Sequence, residues 1–188
     1  MLDTRTGRVR AYSNPDRTAA RPVQDTSAFA CTGGDTAPHG RPAAGGEAPD
    51  GPAVDTFAPP SIVPPPSPQA TCASSSTAVC IDGRFLLEVR YRAGGGRSGP
   101  GQAIPLQSLG VAQGGLFWFF SADNPEMLIK VLDGCGVNEH FWVFYAAGTN
   151  VGFTVTVTDT QTARQKTYVN INGTAAPPVQ DVSALPCP

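Results

Sequence analysis

The chain of 188 residues carries 13 Lys plus Arg against 15 Asp plus Glu, for a net charge of -2, and has no basic stripe interleaved with aromatics. Nothing in it would neutralise a row of phosphates, which excludes nucleic acid as a partner, and no stretch approaches the roughly 18 apolar residues of a membrane helix. Its 19 Pro and 21 Gly lie mostly outside one aromatic stretch, so the folding unit is shorter than the chain.

Met1 is followed by LDTRTGRVR instead of the apolar core of a signal segment, so no export address is expected there. The first thirty residues gain meaning beside the last thirty. At a constant offset of 156, DTRTGRVRAYSNPDRTAARPVQDTSAFAC (Asp3 to Cys31) aligns without a gap on DTQTARQKTYVNINGTAAPPVQDVSALPC (Asp159 to Cys187), and 16 of the 29 positions are identical. Self-similarity at a fixed period signals repeated architecture. Residues 1–31 therefore form an N-terminal arm that is a partial copy of the C-terminal segment. One reading makes the arm a vestige or a slice of a longer tandem array. Another makes it a donor, because a segment with the sequence of a terminal strand can add to a sheet edge of a neighbouring subunit.

Residues 32–71 are rich in Pro and Gly, show no hydrophobic period and contain PPSIVPPPSP. Such a composition buries too little apolar surface to offset ordering entropy, and its end favours an extended polyproline II spacer, so this is a linker.

The third part, residues 72–188, is expected to be the folded domain, with its core between about 72 and 175. Five cysteines (Cys31, Cys72, Cys80, Cys135, Cys187) with two histidines and no CxxC pair make a zinc site improbable. Cys72 and Cys80, eight apart, suit a small disulfide loop. One cysteine of five stays unpaired within a monomer, and the repeat-equivalent Cys31 and Cys187 are candidates for a bond between subunits.

The strand signals follow in order. CIDGRFLLEVRYR places Phe85, Leu87, Val89 and Tyr91 on one face after a DG turn. AGGGRSGPG reads as a flexible loop, and GQAIPLQSL as a short edge strand, where Pro105 is tolerable. LFWFF (116–120), MLIKVLDG (127–134), EHFWVFYAAG (139–148), the strictly alternating VGFTVTVTDT (151–160) and RQKTYVNI complete the set. The prediction is an all-β, immunoglobulin-like antiparallel β-sandwich of about seven strands with a long irregular N-terminal arm, and no helix.

GRFLLEVRYR, GQAIPL, LFWFF, KVLDGCGVNEHFWVFY and TNVGFTVTVTDT followed by TY and PVQD resemble a β-sandwich accessory module of large exported bacterial proteins, often C-terminal or in tandem. The resemblance covers about Cys72 to Cys187 and recurs in Asp3 to Cys31. It implies an extracellular, non-catalytic module and carries over no ligand or catalytic residue.

The candidate chemistry is thin. GGGRSGPG lacks the Lys-Ser/Thr that ends a P-loop and opens no helix. His140 leads an aromatic strand, and no G-x-S-x-G accompanies it. Asp123, Glu126 and Asp133 lie at turns without a calcium-loop spacing, and read as turn caps. Asn172-Gly173-Thr174 is a chance sequon. No catalytic residue, metal ligand or cofactor is expected. The functional weight falls on strands that are apolar on both faces, which must bury both or display one. Trp118, Trp142, Phe117, Phe119 and Tyr145 are the candidate interaction aromatics, with loops and the arm expected to cover the outer face. The expected function is a non-catalytic structural or interaction module of an exported or cell-surface protein, partnered by itself as homo-oligomer or filament through strand addition, or by neighbouring repeats. The alternative is a carbohydrate-binding appendage of a secreted hydrolase, with polysaccharide as partner.

Overall fold

The structure is a computed structural model that describes residues 1–16, 18, 20, 21, 23, 25, 27–29 and 71–188. Cys31 and the linker up to residue 70 lie outside the described residues. Those described belong to two compact units, one taking in Met1–Ala11 with the residues described between 25 and 29, the other the residues described in 12–24 together with 71–188.

In the second unit the described residues form ten strands: β1 (Ala78–Ile81), β2 (Phe85–Arg92), β3 (Ser98–Pro100), β4 (Gln102–Pro105), β5 (Gly114–Trp118), β6 (Met127–Gly134), β7 (His140–Ala147), β8 (Gly152–Asp159), β9 (Arg164–Asn170) and β10 (Val179–Pro186). They make two five-stranded antiparallel sheets, β1-β2-β8-β9 with β3 on β2, and β10-β7-β6-β5-β4. The fold is a β-sandwich, as the alternation predicts. Side chains that alternate across each pleat supply one inward row per strand. Leu87, Val89, Phe153, Val155 and Val157 come from the first sheet and Phe117, Met127, Ile129, Val131, Val143 and Tyr145 from the second. Gly115 marks how close the layers come, because a Cβ there would lie 2.8 Å from a methyl of Val79.

Seven strands are predicted and ten are found, for a physical reason in each case. AVCI of β1 is wholly buried and too short to alternate. The Gly-rich stretch is only partly loop, since Ser98–Pro100 pairs with Arg90–Arg92. VQDVSALP of β10 hides its period because the register against β7 shifts between Asp181 and Leu185. Where no helix is predicted, CGVN forms a single turn, α1 (Cys135–Asn138), that ends on Glu139 in the left-handed region (φ 61°).

Two cross-links hold the edges. Cys72 is bonded to Cys80, and Cys135 to Cys187, with sequence separations of 8 and 52. The second bond corrects the expectation that Cys187 reaches another subunit, because α1 brings Cys135 up to the end of β10. Inside, Arg84 donates twice to Asp159 at 2.9 and 2.7 Å, while its guanidinium lies 4.4 Å from the Phe141 ring centre. Asp159 is 1 % exposed. Burial works against its charge, but bonds from Arg84, Thr162 and the Gln161 amide outweigh that and hold its carboxyl below the usual range.

The described residues of the N-terminal copy repeat the local geometry of the C-terminal segment. Asp159 pairs with Arg164 across the β8–β9 turn, with Ala163 at φ 58°. The repeat-equivalent turn has Asp3 N–H donating to the Arg8 carbonyl at 2.9 Å and Gly7 at φ 69°. Leu2 and Val9 bridge in the same register. Asp159 accepts from the Gln161 amide and the Thr162 hydroxyl. Asp3 accepts from the Arg5 amide and the Thr6 hydroxyl. Further along, the Asn170 side-chain amide donates to the carbonyls of Ile171 and Thr174, and that of Asn14 to Pro15 and Thr18. Ser183 N–H donates to Asp181, as Ser27 N–H does to Asp25.

Two predictions follow from the cross-links and the buried pair. Asp159→Ala leaves the Arg84 guanidinium without its counter-charge and costs about 3 to 5 kcal/mol, measured by urea unfolding at neutral pH. Because the Asp159 carboxyl is depressed in the fold, its contribution is full above the unfolded value of about 4 and disappears as pH falls through the folded one. The gap between parent and variant therefore narrows in acid. Replacing both Cys135 and Cys187 by Ala costs more than replacing Cys72 and Cys80, about 4 against about 2 to 3 kcal/mol, since the longer loop loses more closure entropy in the unfolded chain.

Candidate functional site

The two outer faces of the sandwich differ in kind. On the first sheet the outward rows are Glu88–Thr156–Thr167 and Arg90–Thr154–Val169, a surface of hydroxyls and charges. On the second, the rows are Ile104–Leu116–Leu128–Ala146, then Gly114–Lys130–Phe144–Gln180, then Leu132–Trp142. One sheet shows water a polar face and the other a mostly apolar one. On this face Leu128 is 38 % exposed, Lys130 and Gln180 are exposed, and Trp142 and Phe144 are half-buried.

The five candidate aromatics divide accordingly. Phe117, Phe119 and Tyr145 point inward and are 0 %, 4 % and 6 % exposed, so they are core and not contact residues. Phe119 stacks on Tyr91 at 5.1 Å, and Tyr145 meets the edges of Phe153 and Tyr168. Trp118 and Trp142 do lie on the outer face, both half-buried. They are not neighbours. Trp118 opposes Gln102 at one end of the sheet, three rows from Trp142, roughly 20 Å along the strand direction.

Trp142 has a different companion. Its ring lies nearly parallel to that of Phe144, centres 6.1 Å apart and planes 25° apart. Two features fix the indole. Its Nε1 donates to the Asn138 side-chain oxygen at 2.8 Å, and Asn138 is held by its own amide bond to the Val182 carbonyl at 2.7 Å. Beneath it is Gly134, where a Cβ would lie 2.1 Å from Nε1. The indole thus lies over bare backbone with its one polar atom satisfied, and only a flat π-face is left for anything outside. Phe144 stands between Lys130 and Gln180 in its cross-strand row, so an aromatic ring is bracketed by an ammonium and an amide. Alternation in HFWVFY could signal Phe144. Lys130 needed the pairing of β6 with β7, Gln180 that of β10 with β7, and Gly134 the ring's placement.

The other candidates have structural occupations. Glu126 is buried and accepts from the Phe119 amide at 2.7 Å; burial raises its pKa despite that bond. Asp133 accepts from the Cys135 amide, Asp123 from the Ser121 hydroxyl, and Asn172 from the Gly152 amide. Asp133 stands close to Cys135 and Cys187, but those two sulfurs are bonded to each other and offer no thiolates. At the seam between the sheets, Asp181 receives the Tyr168 hydroxyl at 2.9 Å and the Lys166 ammonium at 3.0 Å. Burial and the neighbouring Asp181 carboxylate push the Tyr168 phenol well above its ordinary range. His140 Nδ1 lies 2.7 Å from the Asn138 carbonyl.

The chain matches no protein-family model, no curated protein and no solved structure.

The support under Trp142 is testable. Gly134→Ala sets a methyl against the indole and also 2.6 Å from the His140 carbonyl. The variant is expected to lose about 1 to 3 kcal/mol and to change tryptophan emission as the ring is lifted, which fluorescence during urea unfolding reads in one experiment.

Proposed function

We propose that this chain is a non-catalytic structural module of an exported or cell-surface protein, made to stand in series with copies of itself. The observation that carries this is the shared local geometry of the two repeat copies. The described residues between 2 and 28 rebuild the β8–β9 turn with its closing bridge, and the local side-chain bonds made by Asn170 and Asp181. A sequence that makes the same closing elements twice is behaving as consecutive members of an array, in which each copy ends in the same way.

Serial arrangement is favoured over strand donation. A donor arm needs a vacant place in its acceptor, and β10 fills that place in its own chain. Cys135–Cys187 ties its end, and the bonds of Tyr168 and Lys166 to Asp181 fasten its middle. In sequence, Cys31 corresponds to Cys187.

Export is supported by the two disulfides, which persist in oxidising compartments. No helix among the described residues is long and apolar enough to cross a membrane. The non-catalytic reading is supported by the way the buried polar side chains are used, since every buried side-chain nitrogen or oxygen described has a hydrogen-bond partner.

Light scattering on full-length protein is expected to show a monomer across a hundredfold range of concentration. A concatemer of three copies should appear in negative stain as a rod longer than one of two. Oligomers of the full chain that vanish on removal of residues 1–65 would instead favour exchange of the arm.

A further inference from the structure

We infer that the outer face of the β10-β7-β6-β5-β4 sheet is a polysaccharide-binding platform centred on Trp142 and Phe144, with Lys130 and Gln180 as its polar contacts. This rests on the face itself and stands whether or not the chain works in series. Three observations select a sugar over other occupants.

The first is ring presentation. Trp142 is pinned by the absence of a side chain at Gly134 and by its bond to Asn138, and the Phe144 ring lies nearly parallel to it, planes 25° apart and centres 6.1 Å apart. Fixed, nearly parallel rings on one strand suit the apolar face of a pyranose unit, and lose little entropy when a rigid chain lies on them.

The second is the row Lys130–Phe144–Gln180. A pyranose stacked on a ring projects its hydroxyls sideways, and here donors stand on both sides of the ring. The exposed ammonium also meets the carboxylate of a uronic acid, where a charge-assisted bond adds to the stacking.

The third observation disfavours a second copy. Pairing of this face with itself about a two-fold axis brings the Lys130 of one chain towards that of the other or buries both without a partner, which is costly. The first sheet offers no such aromatic row, since the rows Leu86–Thr158–Gln165, Glu88–Thr156–Thr167 and Arg90–Thr154–Val169 contain no aromatic side chain. The apolar rows towards Ile104 and Leu116 extend the footprint along the sheet.

The test is affinity electrophoresis of the full chain through gels containing, one at a time, soluble β-glucan, mannan, xylan and polygalacturonate. Retardation in at least one gel is expected, with affinity reduced about tenfold or more by Trp142→Ala and several-fold by Gln180→Ala. Lys130→Ala separates the sources: it abolishes retardation by polygalacturonate if an acidic chain is the ligand and weakens retardation by a neutral one only in part. Lys130 and Gln180 are exposed, so those variants report on binding even if Trp142→Ala disturbs folding, which near-ultraviolet circular dichroism monitors. Three results overturn the inference: free migration in all four gels, retardation that none of the three variants changes, or a concentration-dependent dimer of the parent that Trp142→Ala dissolves.

Discussion

The antiparallel pairing of Val179–Pro186 with His140–Ala147 is the contact on which the rest of the sandwich depends. It joins the end of the chain to its most aromatic strand, and closing so long a loop is entropically costly. The Cys135–Cys187 bond offsets that cost by tethering the same two regions in the unfolded chain. What β10 brings is more than an edge. Ala184 and Leu185 complete the core, Asp181 receives Tyr168 and Lys166 from the facing sheet, and Gln180 comes to stand beside Phe144. One strand thus ties core, seam and outer face together.

Much of this was legible in the sequence where alternation was clean. VGFTVTVT and FLLEVRYR declare which side chains face inward, and each does so in the fold. The double-faced character of LFWFF and HFWVFY was equally visible, and Phe117, Phe119 and Tyr145 follow their own parity into the core. Only the chemistry of the opposite layer decides which face is core, and parity alone left these three as contact candidates. β10 was obscured for another reason. The register shift between Asp181 and Leu185 breaks the two-residue period, so Val182 and Ser183 both lie exposed while Ala184 and Leu185 are both buried. With that strand unassigned, neither the partner of Cys187 nor the position of Gln180 could be deduced from spacing.

The repeat shows the converse, a case where sequence identity and local physics agree closely. Asp3 and Asp159 fold the same turn because an Asp side chain that accepts from the second and third residues after it, with a residue at positive φ closing the turn, is a self-contained motif. It forms without the sandwich around it. The copies differ in burial: Asp159 is locked against Arg84 inside a core, whereas Asp3 is only half-buried. The carboxyl of Asp3 is nonetheless held low, first by the Thr6 hydroxyl and then by the Arg5 amide. The turn is therefore a property of the residues, and the ion pair a property of the completed domain.

The apolar outer face presents a problem that the fold must solve independently of any ligand. A flat, exposed, β-rich surface invites association with other sheets. Lys130 stands in the middle of the face, opposite Phe144 and Gly114, where a single ammonium interrupts what would be a continuous apolar field from Ile104 to Trp142. Trp142 is kept from free contact by a bonded indole N–H and a glycine floor. Both devices lower the tendency to self-associate while leaving a π-face and two polar groups accessible. A face arranged only for solubility would have replaced the aromatics with Thr and Glu, as the opposite sheet does. Retaining the aromatics and guarding them with one charge is consistent with a surface that must stay monomeric yet receive a polar chain with flat apolar faces.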